Sequence, residues 1–324
     1  MPRQARLDAP GTVHHIIVRG LARGTIVNDE ADREAFVGRL GDVAIATGTA
    51  IYAWALLPNH VHLLVRSGAA GLPRFMRRLL TGYAITFNRR HKRCGHLFQN
   101  RYKSIVCEED TYFRELVRYI HLNPLRARLV PNLAGLDRYP WCGHAAVMGR
   151  VSYPWQDRRH VLAWFRGGRQ RGVRAYRQYM TEGIPLGNRP ELVGGGLVRS
   201  LGGWAEVRAM RQRRVRVATD PRILGSGEFV ERLLEVADGR LKVGQLREQR
   251  LRQAAKVIRE ACRRMRITPG ELVAGSRRGH IPAVRAELAH HLVTVLGLSL
   301  ADAARQLGVS TSAISRAVEK TSKA

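Results

Sequence analysis

The segment formed by residues 50–66 restricts the fold of this chain more than any other. An apolar run is followed by Pro58-Asn59 and then by a second run that begins with His60 and His62. This pattern predicts a buried strand, a short turn and a second strand. Alternate residues of a strand share a face, so both histidines are expected on the same side of the sheet. Two neighbouring imidazoles can supply half of a divalent-metal site, although two surface histidines on a half-exposed strand have the same spacing.

A helix that carries a tyrosine is the second feature with chemical meaning. Residues 108–121 show helical apolar spacing with acidic residues in the first turn, and the helix is expected to end just before Pro124. Tyr119 and Asn123 are four residues apart and therefore share a helix face. A tyrosine hydroxyl, with a pKa near ~10, becomes a useful nucleophile when a metal ion polarises the phosphate, and Asn123 can supply an oxygen ligand to that ion. The alternative is that Tyr119 packs in the core and Asn123 caps the helix.

These two segments and three others together resemble the single-tyrosine HUH transposases, in particular the branch associated with repetitive extragenic palindromes. The matching stretches follow the order of that family and cover roughly residues 8–150. They are Val13–Gly20, Leu57–Leu64, Gly95–Ser104, Tyr119–Pro124 and Tyr139–His144.

The resemblance implies a nuclease that cuts single-stranded DNA near hairpin-forming repeats. His60 and His62 would be metal ligands, Asn123 the third ligand, and Tyr119 the nucleophile. The ion would be Mg²⁺ or Mn²⁺. Attack on the scissile phosphate would leave a 5′-phosphotyrosine linkage and a free 3′-hydroxyl that can rejoin strands.

Composition agrees with a nucleic-acid partner. The chain has 324 residues, with 55 Lys and Arg against 26 Asp and Glu, and a formal charge of +29. Such a charge favours nucleic acid or an anionic membrane surface, but no apolar run approaches the ~18 residues of a membrane span, so no membrane partner is expected. The four cysteines show no paired spacing. A cytoplasmic, nucleoid-associated protein without structural zinc is therefore predicted.

The order of the elements predicts the fold class. Strands are expected at residues 12–18, 50–57, 61–66 and 103–107, and helices at 28–46, 72–90 and 108–121. This order predicts an α+β nuclease domain of the ferredoxin-like, split βαβ kind, with one sheet and helices on one face. The resembled family has this arrangement.

Basic residues around these elements are candidate phosphate contacts, although each is also compatible with ordinary surface charge. They are Arg19, Arg77, Arg78, Arg101 and Lys103. Two tyrosines compete with Tyr119: Tyr83 lies on an apolar helix face and is expected in the core, whereas Tyr102 lies between two basic residues and can stack on a base. Neither is followed four residues later by an amide. Glu115 is either an extra ligand or base, or the partner of a nearby arginine.

The chain is expected to divide into three parts. Residues 1–150 form the nuclease domain. Residues 151–222 are rich in Arg and Gly and predict a basic linker with short helices. Residues 223–324 predict an all-α DNA-binding domain.

The C-terminal part ends in a helix-turn-helix pattern. Ser299 and Ser310 can each cap a helix, and Gly308 allows the turn between the two helices. The block from about Phe229 resembles the DNA-binding domain of chromosomal replication initiators, which implies a duplex DNA partner; an ordinary helical hairpin is the alternative. The candidate contacts are Arg277 and Arg278 for phosphates, and Ser312, Ser315 and Arg316 for base edges.

The sequence thus predicts a DNA transposase that cuts and joins single strands and is tethered to duplex DNA by its C-terminal domain. A homodimer is compatible with this prediction. Two other classes stay open: a sequence-specific DNA-binding regulator on a repurposed nuclease fold, and a replication or transfer nickase. The complete set of His60, His62, Tyr119 and Asn123 argues against the regulator, and the lack of a helicase-like region argues against the nickase.

Overall fold

The computed structural model describes residues 7–8, 10–99, 101–165, 168–187, 189–194, 218–276 and 278–321. The chain forms two compact units, which divide between positions 237 and 238. This division lies further along the chain than the predicted boundaries at 150 and 222, and the roles predicted for the three parts stay predictions. No helix in the described ranges is long and apolar enough to cross a membrane.

A five-stranded sheet in the order β2-β3-β1-β4-β5 forms the centre of the first unit. Its strands are β1 (Val13–Arg19), β2 (Ala50–Leu56), β3 (His60–Arg66), β4 (Lys103–Cys107) and β5 (Ile223–Leu224). The first four pair antiparallel, and β5 lies parallel to β4. Four strands lie where their alternation predicted them, whereas β5 is too short to show a readable period.

The helices of the first unit include every long helix that the sequence predicted. They are α1 (Glu30–Thr47), α2 (Leu72–Arg90), α3 (Glu109–His121), α4 (Asn123–Arg126), α5 (Leu133–Leu136), α6 (Gly143–Val147), α7 (Arg158–Ala163) and α8 (Gly168–Gly183), with 3-10 turns at Leu21–Arg23 and Pro190–Val193. The Asp29 side chain caps α1 by accepting a hydrogen bond from the backbone N–H of Asp32. Gly48 ends α1 in the left-handed region, at a φ of 62°.

Helices cover both faces of the sheet, which corrects the expectation of helices on one face. α1 and α2 pack on the face that carries Val61, Leu63 and Val65. α3 packs on the opposite face, together with the short helices that follow it, around Leu64 and Ile105. The inner strands are mostly apolar on both sides, so each side has to be covered to remove it from water. The α+β class itself is confirmed.

Residues beyond position 150 complete the core on the α3 side. Phe165, Tyr176 and Leu192 are buried there. The hydroxyl of Tyr176 hydrogen-bonds to Nδ1 of His121 and to Nδ1 of His144, at 2.7 Å in both cases. Part of the predicted linker is therefore packed against the nuclease fold. The arginine-rich stretch at 207–217 lies outside the described residues.

The second unit is helical. Its elements are the C-terminal part of α9 (Gly227–Arg264), α10 (Pro269–Val273), α11 (Ile281–His290) with a π-helical turn at His291–Val295, α12 (Leu300–Leu307) and α13 (Thr311–Thr321). Ser299 caps α12, and the Ser310 hydroxyl accepts a hydrogen bond from the backbone N–H of Ala313 at the start of α13. Gly308 lies between them at a φ of 65°. Both helices lie where predicted, while their use in reading DNA stays a prediction.

Candidate active site

The two histidines of β3 lie side by side on the face that α3 covers. β1 runs antiparallel to β3, which places Arg19 opposite His60 and Ile17 opposite His62. The centroids of the two imidazole rings are 5.1 Å apart. Both histidines therefore lie on the same face of the sheet, as the two-residue period of a strand predicted.

A neighbouring amide determines which nitrogen of His60 carries the proton. His60 Nδ1 lies 2.7 Å from Oδ1 of Asn59, and the amide nitrogen of Asn59 donates to the backbone oxygen of Arg23 at 3.2 Å. Because Oδ1 can only accept, Nδ1 of the ring must donate. This leaves Nε2 of His60 with a free lone pair. Burial, with a smaller contribution from Arg19, lowers the pKa of His60 to about 4, so the ring is neutral at neutral pH.

His62 is more deeply buried than His60. Only 2 % of its surface is exposed, and its Nδ1 lies 2.9 Å from Nε2 of His15 on β1. Burial is the largest cause that holds the pKa of His62 well below its usual value; His15, His60 and Arg19 lower it further. A neutral imidazole is the form that binds metal ions.

Tyr119 of α3 reaches the same place from the helix layer. Its ring centroid lies 5.6 Å from that of His62 and 5.8 Å from that of His15. Burial raises the pKa of the Tyr119 hydroxyl, while the positive charges of Arg126 and Arg19 act against this shift. The hydroxyl is therefore protonated at rest, and its ionisation during a reaction requires positive charge nearby.

Asn123 begins α4, one helical turn after Tyr119, and is 9 % exposed. Its amide nitrogen donates to the backbone oxygens of Tyr119 and Ile120, at 3.0 and 3.3 Å. These bonds assign the oxygen Oδ1 to the other side of the amide, where it can accept or bind a cation. Asn123 thus caps the end of the tyrosine helix, as the alternative interpretation expected, and its role as an oxygen ligand stays a prediction.

The donors of His60, His62 and Asn123 are chemically suited to a divalent cation. They comprise two neutral imidazoles and one amide oxygen, a mixed nitrogen and oxygen set that suits Mn²⁺ better than Mg²⁺ in affinity. A different cluster, Asp29, Asp32 and His91, also brings possible ligand atoms together. There the guanidinium of Arg90 already pairs with both carboxylates, so this cluster is an ion-pair network.

Arg126 is a residue of the site that sequence reading missed. Its Nη1 donates to the backbone oxygen of Tyr119 at 3.3 Å, and its guanidinium carbon lies 5.5 Å from the centre of the Tyr119 ring. Its Nε is buried, and no hydrogen-bond partner for it lies among the described residues. The signal was present in the spacing, because a residue seven positions after Tyr119 returns to the same side after two helical turns.

Three other residues from the sequence analysis have defined positions in the structure. The carboxylate of Glu115 pairs with Arg118 at 2.7 Å and with Arg189 at 3.0 Å, as the ion-pair alternative expected. Tyr83 is buried in the core, as predicted, and its hydroxyl donates to the backbone oxygen of Ile26 at 2.6 Å. Tyr102 is also in that core, only 8 % exposed, which corrects the suggestion that it stacks on a base.

The predicted phosphate contacts fall into separate groups. Arg19 lies beside His60 at the end of β1. Lys103 pairs opposite Ile17 and donates from Nζ to the backbone oxygen of Val193 at 2.5 Å. The other predicted phosphate contacts in the first unit are exposed on α2 or in the loop before β4. They are Arg77, Arg78 and Arg101.

The predicted DNA contacts of the second unit are distributed over a loop and α13. Arg278 is exposed, and Arg277 lies outside the described residues. Ser312, Ser315 and Arg316 lie on α13. Ser315 donates to Glu319 at 3.0 Å, and Nε of Arg316 donates to the backbone oxygen of Ser312 at 3.3 Å.

Comparison with known proteins relates one segment of the first unit to a family. Among solved structures, a REP-associated tyrosine transposase bound to a REP hairpin has 18% identity, covers 48% of this chain and 90% of its own, and has a TM-score of 0.39. A Deinococcus radiodurans R1 protein described as a transposase has 21% identity, covers 35% of this chain and 92% of its own, and has a TM-score of 0.27. No curated protein matches the chain. Residues 10–123, which include His60, His62, Tyr119 and Asn123, match the profile of the family described as "Transposase IS200 like". By this match, the chain carries an IS200-like transposase domain at residues 10–123, which supports the prediction of an enzyme.

Proposed function

We propose that the protein is a metal-dependent endonuclease and strand transferase that acts on single-stranded DNA through a 5′-phosphotyrosine intermediate. The observation that carries this proposal is the position of the Tyr119 ring, 5.6 Å from that of His62, within the transposase domain. A hydroxyl nucleophile, two imidazoles and an amide oxygen are groups that can serve a metal-assisted phosphoryl transfer.

The reaction balances without an external energy source. The hydroxyl oxygen of Tyr119 forms a bond to phosphorus as the bond from phosphorus to the 3′ oxygen breaks. The phenol loses a proton, and the departing 3′ oxygen gains one. A free 3′-hydroxyl can then attack a second phosphotyrosine, which joins two strands and restores the phenol.

A divalent ion held by His60, His62 and Asn123 would polarise the scissile phosphate and stabilise the charge that develops on its oxygens. The positive charges of Arg19 and Arg126 favour negative charge on the Tyr119 oxygen, since both act to lower the pKa of its hydroxyl. A guanidinium group matches the geometry of phosphate oxygens, and we assign Arg126 to the phosphate that Tyr119 attacks.

The proposed class of substrate follows from the net charge of the chain and from the access to Tyr119. A formal charge of +29 favours a polyanion, and the partly buried hydroxyl of Tyr119 requires the scissile phosphate to enter the site rather than remain within a duplex. The preference for strands beside hairpin-forming repeats comes from the motif resemblance. The second unit would bind duplex DNA through α13, with Ser312, Ser315 and Arg316 at base edges, and through phosphate contacts from Arg277 and Arg278.

A cleavage assay on labelled single-stranded hairpin DNA from around the protein's own gene tests this proposal. Wild type is expected to produce a nick and a covalent protein–DNA adduct that require Mn²⁺ or Mg²⁺. Tyr119→Phe should produce neither. Tyr112→Phe, which removes a hydroxyl two turns earlier on the same helix, is the matched control and should retain both products.

Three outcomes would overturn the proposal. An adduct that persists in Tyr119→Phe would show that another residue is the nucleophile. Binding without a nick, across several hairpins and both metals, would favour the sequence-specific regulator. Nicking confined to a replication or transfer origin, without joining of ends, would favour the nickase.

A further inference from the structure

His15 is a buried histidine on β1 that the mechanism above does not use. It has no exposed surface, and both of its ring nitrogens have hydrogen-bond partners. Nδ1 lies 2.9 Å from the backbone oxygen of Leu192, and Nε2 lies 2.9 Å from Nδ1 of His62. The rings of His15 and His62 are stacked, with their centroids 5.2 Å apart.

The proton on each ring nitrogen follows from these contacts. Burial disfavours the charged form of both histidines, so each ring carries a single N–H. The backbone oxygen of Leu192 can only accept, so His15 must donate from Nδ1 and accept at Nε2. Nδ1 of His62 must therefore carry the proton that it donates to His15. The lone pair of His62 is then on Nε2.

We propose that His15 is a positioning residue that holds His62 in the one tautomer able to bind a divalent metal through Nε2. The Leu192 carbonyl accepts a hydrogen bond from His15, and His15 in turn accepts one from His62. This inference rests on the proposed metal-dependent function, because the free Nε2 matters only if an ion binds there. His60 reaches the same state by a different route, through the side chain of Asn59.

The 3-10 turn that supplies the Leu192 carbonyl is held in place from several sides. The Leu192 side chain is buried, with 2 % exposed. Arg189, just before the turn, pairs with Glu115 of α3 and with Glu191, and Lys103 of β4 donates to the backbone oxygen of Val193. This turn lies beyond the segment that matches the family profile. The chain thus completes its metal site with a residue from outside that segment.

The proton positions can be measured directly. Long-range ¹H–¹⁵N NMR of the full metal-free chain, labelled at histidine nitrogens, distinguishes the two neutral tautomers. Wild type is expected to show His62 and His15 both protonated at Nδ1. A proton on Nε2 of His62 in wild type would overturn the proposal, whatever the protein does to DNA.

Variants connect the tautomer to the metal. His15→Phe keeps a ring but removes both hydrogen bonds, and is expected to lose the Nδ1–H state of His62 and to bind Mn²⁺ about 10–100-fold more weakly, as read from the signal of free Mn²⁺ in electron paramagnetic resonance. His15→Gln can still donate and accept, and should recover part of that affinity. His14→Phe is the matched control, because His14 contacts Thr12 and Ser104 instead of His62. Its Mn²⁺ affinity should equal that of wild type.

The failure of this inference and that of the proposed function are distinguishable. If His15→Phe bound Mn²⁺ as tightly as wild type, the role of His15 would be overturned. Metal-dependent nicking by wild type would still support the proposed function. If wild type neither bound Mn²⁺ nor nicked DNA, the proposed metal-dependent function would be overturned. The role of His15 in preparing a metal ligand would then be overturned as well.

Discussion

The ring of Tyr119 lies edge-on to the ring of His62, with an angle of 81° between the planes and 5.6 Å between the centroids. His62 comes from β3 and Tyr119 from α3, so the two meet only because α3 packs on the face of the sheet that carries the histidines. His15 lies against both rings. A candidate nucleophile, a candidate metal ligand and the residue that orients that ligand therefore share one buried contact.

Asn123 is expected to act both in metal binding and in holding the tyrosine helix. Asn123→Ala should weaken Mn²⁺ binding by about tenfold or more and reduce stability by about 1 kcal/mol for each hydrogen bond lost. Asn123→Asp should retain Mn²⁺ binding, because a carboxylate oxygen replaces the amide oxygen, but should lose stability. Metal titration and thermal unfolding measure the two effects separately.

The matched control is Asn132→Ala, which removes the side-chain cap of α5. It should cost about 1 kcal/mol of stability and leave Mn²⁺ affinity unchanged. Equal Mn²⁺ affinity in Asn123→Ala and wild type would rule out Asn123 as a ligand.

Arg126 is expected to accelerate the attack of Tyr119. Arg126→Met should slow single-turnover nicking by about 10²-fold, because a positive charge positioned beside the developing charge is lost. Arg128→Met removes an exposed arginine two positions further on and should leave the rate within about twofold of wild type. Similar nicking rates in the two variants would contradict the assignment of Arg126 to the reacting phosphate.

Glu115 is expected to make stability depend on pH. Burial raises the pKa of its carboxyl, but hydrogen bonds from Tyr179 and Arg118 and the charges of Arg118 and Arg189 outweigh it, so the pKa is lowered from 4.5. A group with a lowered folded-state pKa stabilises the fold above its unfolded pKa and loses this effect as the pH falls through its folded pKa.

Glu115→Gln should therefore be less stable than wild type at pH 7 by about 1 kcal/mol, and the difference should shrink progressively below about pH 4.5. Unfolding followed from pH 3 to pH 7 provides the measurement. Glu182→Gln, at an exposed position of α8, should change stability by less than about 0.5 kcal/mol. A difference for Glu115→Gln that grew at low pH would contradict the ion pairing.

Gly308 is expected to be required for the second unit. An added Cβ would lie 1.9 Å from the backbone oxygen of Val273, and the φ of +65° is unfavourable for other residues. Gly308→Ala should destabilise that unit by at least about 1–2 kcal/mol and weaken binding to duplex DNA, measured by denaturant unfolding and fluorescence anisotropy. Gly239→Ala, inside α9 with open space around the new methyl, should instead stabilise by about 0.5–1 kcal/mol. Full duplex binding by an unfolded second unit would contradict the proposed tether.

Local sequence patterns were sufficient to predict much of the fold and of the candidate site. Alternation in β3 placed His60 and His62 on one face, and the four-residue spacing placed Tyr119 and Asn123 on one side of their helix region. Apolar spacing identified α1, α2 and α3, since amphipathic periods reflect which side of an element is buried. These features depend on residues close together in the chain, so they can be read without tertiary contacts.

The sequence by itself determined the element order, the α+β class and the candidate chemistry of the histidines, the tyrosine and the asparagine. Only the tertiary structure decided that helices cover both sheet faces, that Tyr102 is in the core, and that Arg126 lies against the Tyr119 ring. It also placed the Leu192 carbonyl against His15, the contact from which we inferred which nitrogen of His62 carries the proton. No local periodicity reports such contacts, because they join residues far apart in sequence whose meeting depends on how layers pack.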